Sequence, residues 1–157
     1  MTTVNGLPAH VLLVHFVVVL APLTAVLAIT CALWRPARQR LIWLVAALAM
    51  LSTVLTPVTT DAGEWLERRV GPSERLHAHT DLGDTMIYFS VALLLAVVLL
   101  VVVHVRESRD RPVRAQMHWL IAAVVVAAGV STGVQVYRIG ESGAAATWGD
   151  QVAQPSP

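Results

Sequence analysis

Four long runs without a single Asp, Glu, Lys or Arg dominate this chain, at residues 11–34, 41–60, 86–105 and 119–137. A helix rises about 1.5 Å per residue, so about 20 apolar residues cross a hydrocarbon core of about 30 Å. Each run is therefore long enough to span a bilayer, giving predicted spans over roughly 9–34, 41–60, 84–105 and 117–138. Composition agrees. Hydrophobic residues make up 56% of the 157 and charged residues 13%, against about 25% charged in soluble domains. So few charges cannot cover a water-facing surface, whereas a lipid-facing one does not need them. The opening stretch lacks the basic n-region of a removable signal peptide, so the first run is expected to remain as a span.

The charges lie between the runs, and their distribution predicts orientation. All eleven basic residues are arginine. Seven of them lie in two connections: Arg35, Arg38 and Arg40, then Arg106, Arg109, Arg111 and Arg114. The middle connection, residues 61–85, holds three arginines against six acids. Basic residues in short loops stay on the cytoplasmic side. The middle connection and both termini are thus expected outside the cytoplasm, in a multi-pass protein of the cell membrane. Short connections make consecutive spans antiparallel neighbours, so the predicted fold is all-α, a four-helix up-down membrane bundle over residues 1–149. Residues 150–157 read as a polar, disordered tail. Pro22 and Pro57 are expected to kink spans one and two. Gly129 and Gly133 offer a small-residue face for close helix approach, to a neighbouring span, a membrane partner or a second copy. The single cysteine, Cys31, excludes an internal disulfide and any paired-cysteine metal motif.

Histidine inside a span is rare and usually faces the bundle interior. His10 and His15 open span one, while His77 and His79 stand ahead of span three. His104 and His118 fall at the opposite, arginine-rich side, where they read as interface residues. On a straight helix His10 and His15 differ by about 7.5 Å and about 140°, and His77 and His79 by about 200°. A buried site would therefore draw one histidine from each helix. Two imidazoles from different helices on either side of a flat cofactor are how bundles hold haem b. His15 and His79 are the candidate ligands, with His10 and His77 as alternates. Asp61, just after span two, is the candidate second partner orienting an imidazole. His15, His79 and Asp61 would equally suit a metal ion. The bland alternative is interfacial histidines bonded to carboxylates and backbone. No nucleophile–base set, phosphate loop or nucleic-acid patch is present, which favours an electron carrier over a catalyst. No acid lies deep in a span, which argues against a proton path through the membrane.

Several stretches carry a resemblance. Asn5-Gly6-Leu7-Pro8-Ala9-His10 with His15-Phe16, Thr59-Thr60-Asp61-Ala62-Gly63, His79 with Leu82-Gly83, and Tyr137 through Ala144 resemble the bacterial membrane family called domain of unknown function 2231. The resemblance covers nearly the whole chain. It implies a four-span membrane fold, and through relatives that look fused to iron–sulfur domains it implies electron transfer. Two functional readings stay open: a haem b or metal-binding electron-transfer module, or a cofactor-free accessory subunit packed against a larger membrane complex. The bilayer is the surrounding solvent in both.

The orientation is directly testable. A periplasm-dependent phosphatase fused after residue 157 should be active, and the same enzyme fused within residues 106–114 inactive. The reverse pattern would overturn the arginine-based topology.

Overall fold

The computed structural model describes residues 3–4, 7–71, 73–111 and 113–153. Two-residue strands β1 (Thr3–Val4) and β2 (Leu7–Pro8) pair antiparallel ahead of the first helix. The helices are α1 (Ala9–Leu33), α2 (Arg35–Val70), α3 (Glu74–Asp84), α4 (Met86–Glu107) and α5 (Ala115–Ala153). Among the described residues four helical stretches are long and apolar enough to cross a membrane: α1, α2, the stretch from α3 into α4, whose apolar run lies in α4, and α5. Only 28–39% of their most apolar windows is buried. The remaining apolar surface, including Phe16, Val26, Trp43 and Leu95, faces outward. That is the pattern of a bundle solvated by lipid, where helices satisfy their own backbone groups.

The helices form a ring in chain order. α1 packs on α2 and α5, and α4 packs on the same two, while the diagonal pair α1 and α4 meets little. Small residues let them approach. The core is built on Ala25, Ala28, Ala32, Ala49, Ala96 and Ala122, filled out by Ile42, Val45, Leu93, Val97, Leu100 and Val125. Gly129 makes one close approach possible, since a Cβ there would lie 2.9 Å from Ile29 Cδ1 on α1. Gly133 has nothing within 4 Å, so the small-residue pair works through one member. The buried hydroxyls of Thr24, Thr56 and Thr132 bond back to the carbonyls of Leu20, Ser52 and Ala128. Thr56 also meets Ser90 of α4 at 2.9 Å.

Three sequence expectations are corrected here. Residues 35–40 are not a loop: α1 and α2 are separated by Trp34 alone, in extended conformation, and Pro36 sits in the first turn of α2, where its missing N–H costs nothing. The middle connection is not a loop either. α2 has 36 residues, about 54 Å of helix, well beyond the hydrocarbon core. It projects as an arm because no proline follows Pro57 within it and Gly63 stays helical, until Gly71 ends it at φ 99° with its N–H on the Glu67 carbonyl. α3 then returns alongside and packs on α5 and α2. Lastly, α5 continues as helix through Ala153, so the expected tail is helical at residues 150–153, and residues 154–157 lie outside the described residues.

At the arginine end a buried charge closes the bundle. Arg38 is 1% exposed. Its Nη2 donates to both carboxylate oxygens of Glu107 on α4, at 2.9 and 3.1 Å. Its Nη1 donates to the Cys31 carbonyl, 2.9 Å away in the last turn of α1. Arg35 adds an exposed contact to Glu107 at 3.5 Å. One guanidinium therefore ties α1, α2 and α4 together. Removing one partner of such a pair strands the other charge at a cost of about 3–5 kcal/mol. Arg38→Met and Glu107→Gln should each lower the unfolding midpoint in detergent, and Arg38→Met with Glu107→Leu should recover most of the loss. A double variant as unstable as the singles would mean that the pair is not the interaction being lost.

Candidate functional site

At the end where α1 begins, the bundle opens into a cavity of about 370 Å³ between α1, α2, α3 and α5, with Met86 of α4 at its floor. Its body is apolar: Val14, Val17, Leu66, Leu76, Val136 and Ile139. α2 contributes one continuous stripe, Thr56, Thr59, Thr60, Gly63, Leu66, Glu67 and Val70, spaced three and four apart as a single helix face requires. The polar groups on the lining include His10, His79, Glu67 and Asp84.

The two histidines are held in the same way. His10 Nδ1 lies 2.9 Å from the Thr59 carbonyl. A carbonyl only accepts, so Nδ1 carries the proton and Nε2 keeps its lone pair. His79 Nδ1 lies 2.9 Å from Ser142 Oγ, and that hydroxyl already donates to the Ile139 carbonyl at 2.9 Å. With its one hydrogen committed there, Ser142 accepts from His79, and again Nε2 keeps the lone pair. Each ring rests on a glycine. A Cβ on Gly63 would lie 2.9 Å from His10 Cε1, and one on Gly143 3.0 Å from His79 Cε1. Any side chain at either position would push the imidazole off its partner.

His15 is not part of this arrangement. The expectation that it faces the bundle interior is corrected: its side chain is exposed on the outside of α1, and its Nδ1 bonds the Val11 carbonyl of its own helix. Once His10 turns inward to Thr59, the helical rotation between the two carries His15 away. His77 likewise points away from His79. It is exposed and lies 3.4 Å from Glu67 and 3.8 Å from Asp81. Asp61 is exposed and bonds neither inward histidine; the Thr59 carbonyl and the Ser142 hydroxyl take the orienting place expected of it. Among the described residues no group of three or more His, Cys, Asp or Glu is placed to hold a metal ion, so His15, His79 and Asp61 are not brought together. Ser73 occupies the N-cap position of α3 without a side-chain cap bond. His104 and His118 each meet a tryptophan edge at the far end, Trp43 and Trp119.

Sequence reasoning passed over the residue that shapes the site's floor. Gln135 of α5 is 2% exposed. Its amide donates to Thr85 Oγ1 at 2.7 Å and to the Leu82 carbonyl at 3.2 Å. This stitches the break at Thr85 between α3 and α4, and so fixes the angle at which α3 carries His79. A glutamine in an otherwise apolar span was the available signal, because such a group needs a partner in the bundle.

α3 bears Glu74, Arg75, Asp81 and Asp84 and lies before the apolar run of α4, outside the membrane-spanning segment. Burial, and then the neighbouring His10, push the His79 imidazole below its ordinary 6.5, against a smaller opposing pull from the Ile139 carbonyl. His79 is thus neutral at pH 7. Glu67 and Asp84 stand on the lining of the cavity beside the neutral His79 imidazole.

Fold and site together define an integral membrane bundle with a histidine-bearing cavity beside the membrane boundary. The chain belongs to the family described as Predicted membrane protein (DUF2231), whose model matches residues 6–155. No curated protein and no solved structure matches it. Residues of the stretches that carry the family resemblance line this cavity, His10, Thr59 with Gly63, and His79 with Gly83, or seat His79, Ser142 with Gly143.

The pH behaviour follows from His79. A histidine whose folded value is lowered binds fewer protons folded than unfolded, so stability falls as pH drops through 6.5 toward the folded value. Ring-proton NMR should give His79 a midpoint below 6.5, and His79→Gln should flatten the stability loss between pH 7 and 5. A midpoint at or above 6.5 would contradict the buried placement.

Proposed function

We propose that this protein is a membrane electron-transfer module that holds haem b between His10 and His79. The observation that carries the proposal is the pair of fixed tautomers. Two imidazoles on different helices that line one largely apolar cavity tie up Nδ1–H on a carbonyl and a hydroxyl, which leaves each Nε2 available as a ligand. Metal-ligating histidines are held in this way, with the second ring nitrogen donating to an oriented acceptor. Two imidazoles alone do not complete the shell of a free ion, whereas a macrocycle supplies the other four positions. That favours haem over a bare metal.

The lining is compatible with that group on its donor set and its apolar walls. Glu67 and Asp84 would repel haem carboxylates, but the lining residues of α5 are Val136, Ile139, Ala146 and Thr147, none of them acidic. When bound, haem would supply a one-electron couple. The chain's own part is to fix both imidazoles, exclude water with apolar side chains and keep His79 neutral. The proposal replaces His15 with His10 as the partner of His79. It also places the cavity on the outer side of the cell membrane, with both termini there, because the arginines gather at the opposite end.

Absorption spectra of the protein purified in detergent from haem-replete cells test this. A Soret band with sharp α and β bands on dithionite reduction should appear in the native chain and in His15→Ala. It should disappear in His10→Ala and His79→Ala. A flat native spectrum would overturn the proposal and leave the accessory-subunit reading in its place.

A further inference from the structure

A second feature lies on the opposite face of α5, away from the histidine cavity. A shallow groove of about 830 Å³ runs along the outside of this helix from Trp119 to Arg138. These residues are nineteen positions apart, about 28 Å of helix, close to the thickness of the hydrocarbon core. The floor is made by small side chains one turn apart, Ala123, Ala127 and Ser131, and Phe89 of α4 stands at one side. Ser131 does not make the floor polar, because its hydroxyl donates to the Ala128 carbonyl at 3.0 Å.

The end of the groove differs from its length. Arg138 is exposed, lines the groove and has no ion pair among the described residues. Its depth is set by its neighbours. Gln135, one turn earlier, bonds Thr85, the residue from which the apolar run of α4 begins. Arg138 therefore stands at the headgroup level, where an unpaired cation has an anion within reach. From Arg138 back to Ala127 is about 16 Å of helix, roughly the depth of one leaflet of a 30 Å core. A cation at headgroup level above a leaflet-deep apolar channel matches a phospholipid, phosphate and acyl chain respectively.

We infer that this groove is a binding site for an anionic phospholipid, with the phosphate on Arg138 and an acyl chain lying over Ser131 and Ala127. The lipid seals the outer face of α5 against Phe89. The site is independent of the histidine cavity and stands whether or not haem is bound there.

Native mass spectrometry of the full chain in detergent, titrated with phosphatidylglycerol or phosphatidylcholine, tests it. The native chain should retain one phosphatidylglycerol in preference to phosphatidylcholine. Arg138→Gln should reduce the phosphatidylglycerol-bound fraction by about fivefold, the worth of one surface arginine against anionic lipid. Ala127→Leu, which fills the floor, should weaken both lipids, and Arg114→Gln at the far end should change neither. Arg138 is exposed, so its variant keeps the fold, and circular dichroism checks that for both groove variants. Retention unchanged in Arg138→Gln would overturn the site. So would a native dimer that Ala127→Leu dissolves, since the groove would then belong to a second copy.

Discussion

Inside a bilayer every backbone N–H and C=O must find a partner within the protein, and the whole structure answers to that constraint. Helices meet it along their lengths and fail at their ends, where the last carbonyls have no donor. Two buried polar side chains of this bundle, Arg38 and Gln135, work at such ends. Arg38 reaches the Cys31 carbonyl in the last turn of α1, and Gln135 reaches the Leu82 carbonyl in the last turn of α3. Each comes from another helix, so closing a helix end and fastening the bundle are one act. Arg38 needs Glu107 to be tolerable there, because an unpaired buried charge is costly. That pair locks the two helical hairpins to each other at this end.

At the opening end the same constraint produces the site. α2 and α5 run on past the membrane, and α3 folds back between them at an angle set by Gln135 and Thr85. Three helical arms around the start of α1 enclose space that the narrow alanine-rich core does not leave elsewhere. The imidazoles that enter it are positioned by a carbonyl, a hydroxyl and two glycines rather than by carboxylates. Carboxylates gather at the rim and fix neither of these two rings.

Much of this was legible in residue order, and the misses share one cause. The spans, their number and the division of histidines by side follow from apolar runs and from which residues flank them. That one histidine per helix faces inward follows from helical angles. Which one does not. His10 and His15 are separated by about 140°, and periodicity alone cannot say which of two such positions meets a neighbouring helix. The deciding groups, the Thr59 carbonyl with Gly63 and the Ser142 hydroxyl with Gly143, lie far along the chain from the rings they seat. Arg38 was hidden for a similar reason. In a row with Arg35 and Arg40 it looks like one more interfacial cation, and only the fold brings Glu107 to it across 69 positions.

Residue order by itself thus determined a lipid-solvated bundle of four spanning segments with most of its arginines at one end and most of its acids at the other. These are properties of local composition against a slab of fixed thickness, and no distant contact is needed to read them. The tertiary structure alone decided which side chains face one another: His10 with His79 across the cavity, Arg38 with Glu107 at the closed end, and Gln135 at the α3–α4 break. Such choices depend on the rotation and tilt of each helix about its own axis. Those are set by steric contacts such as Gly129 against Ile29, made between residues a hundred positions apart.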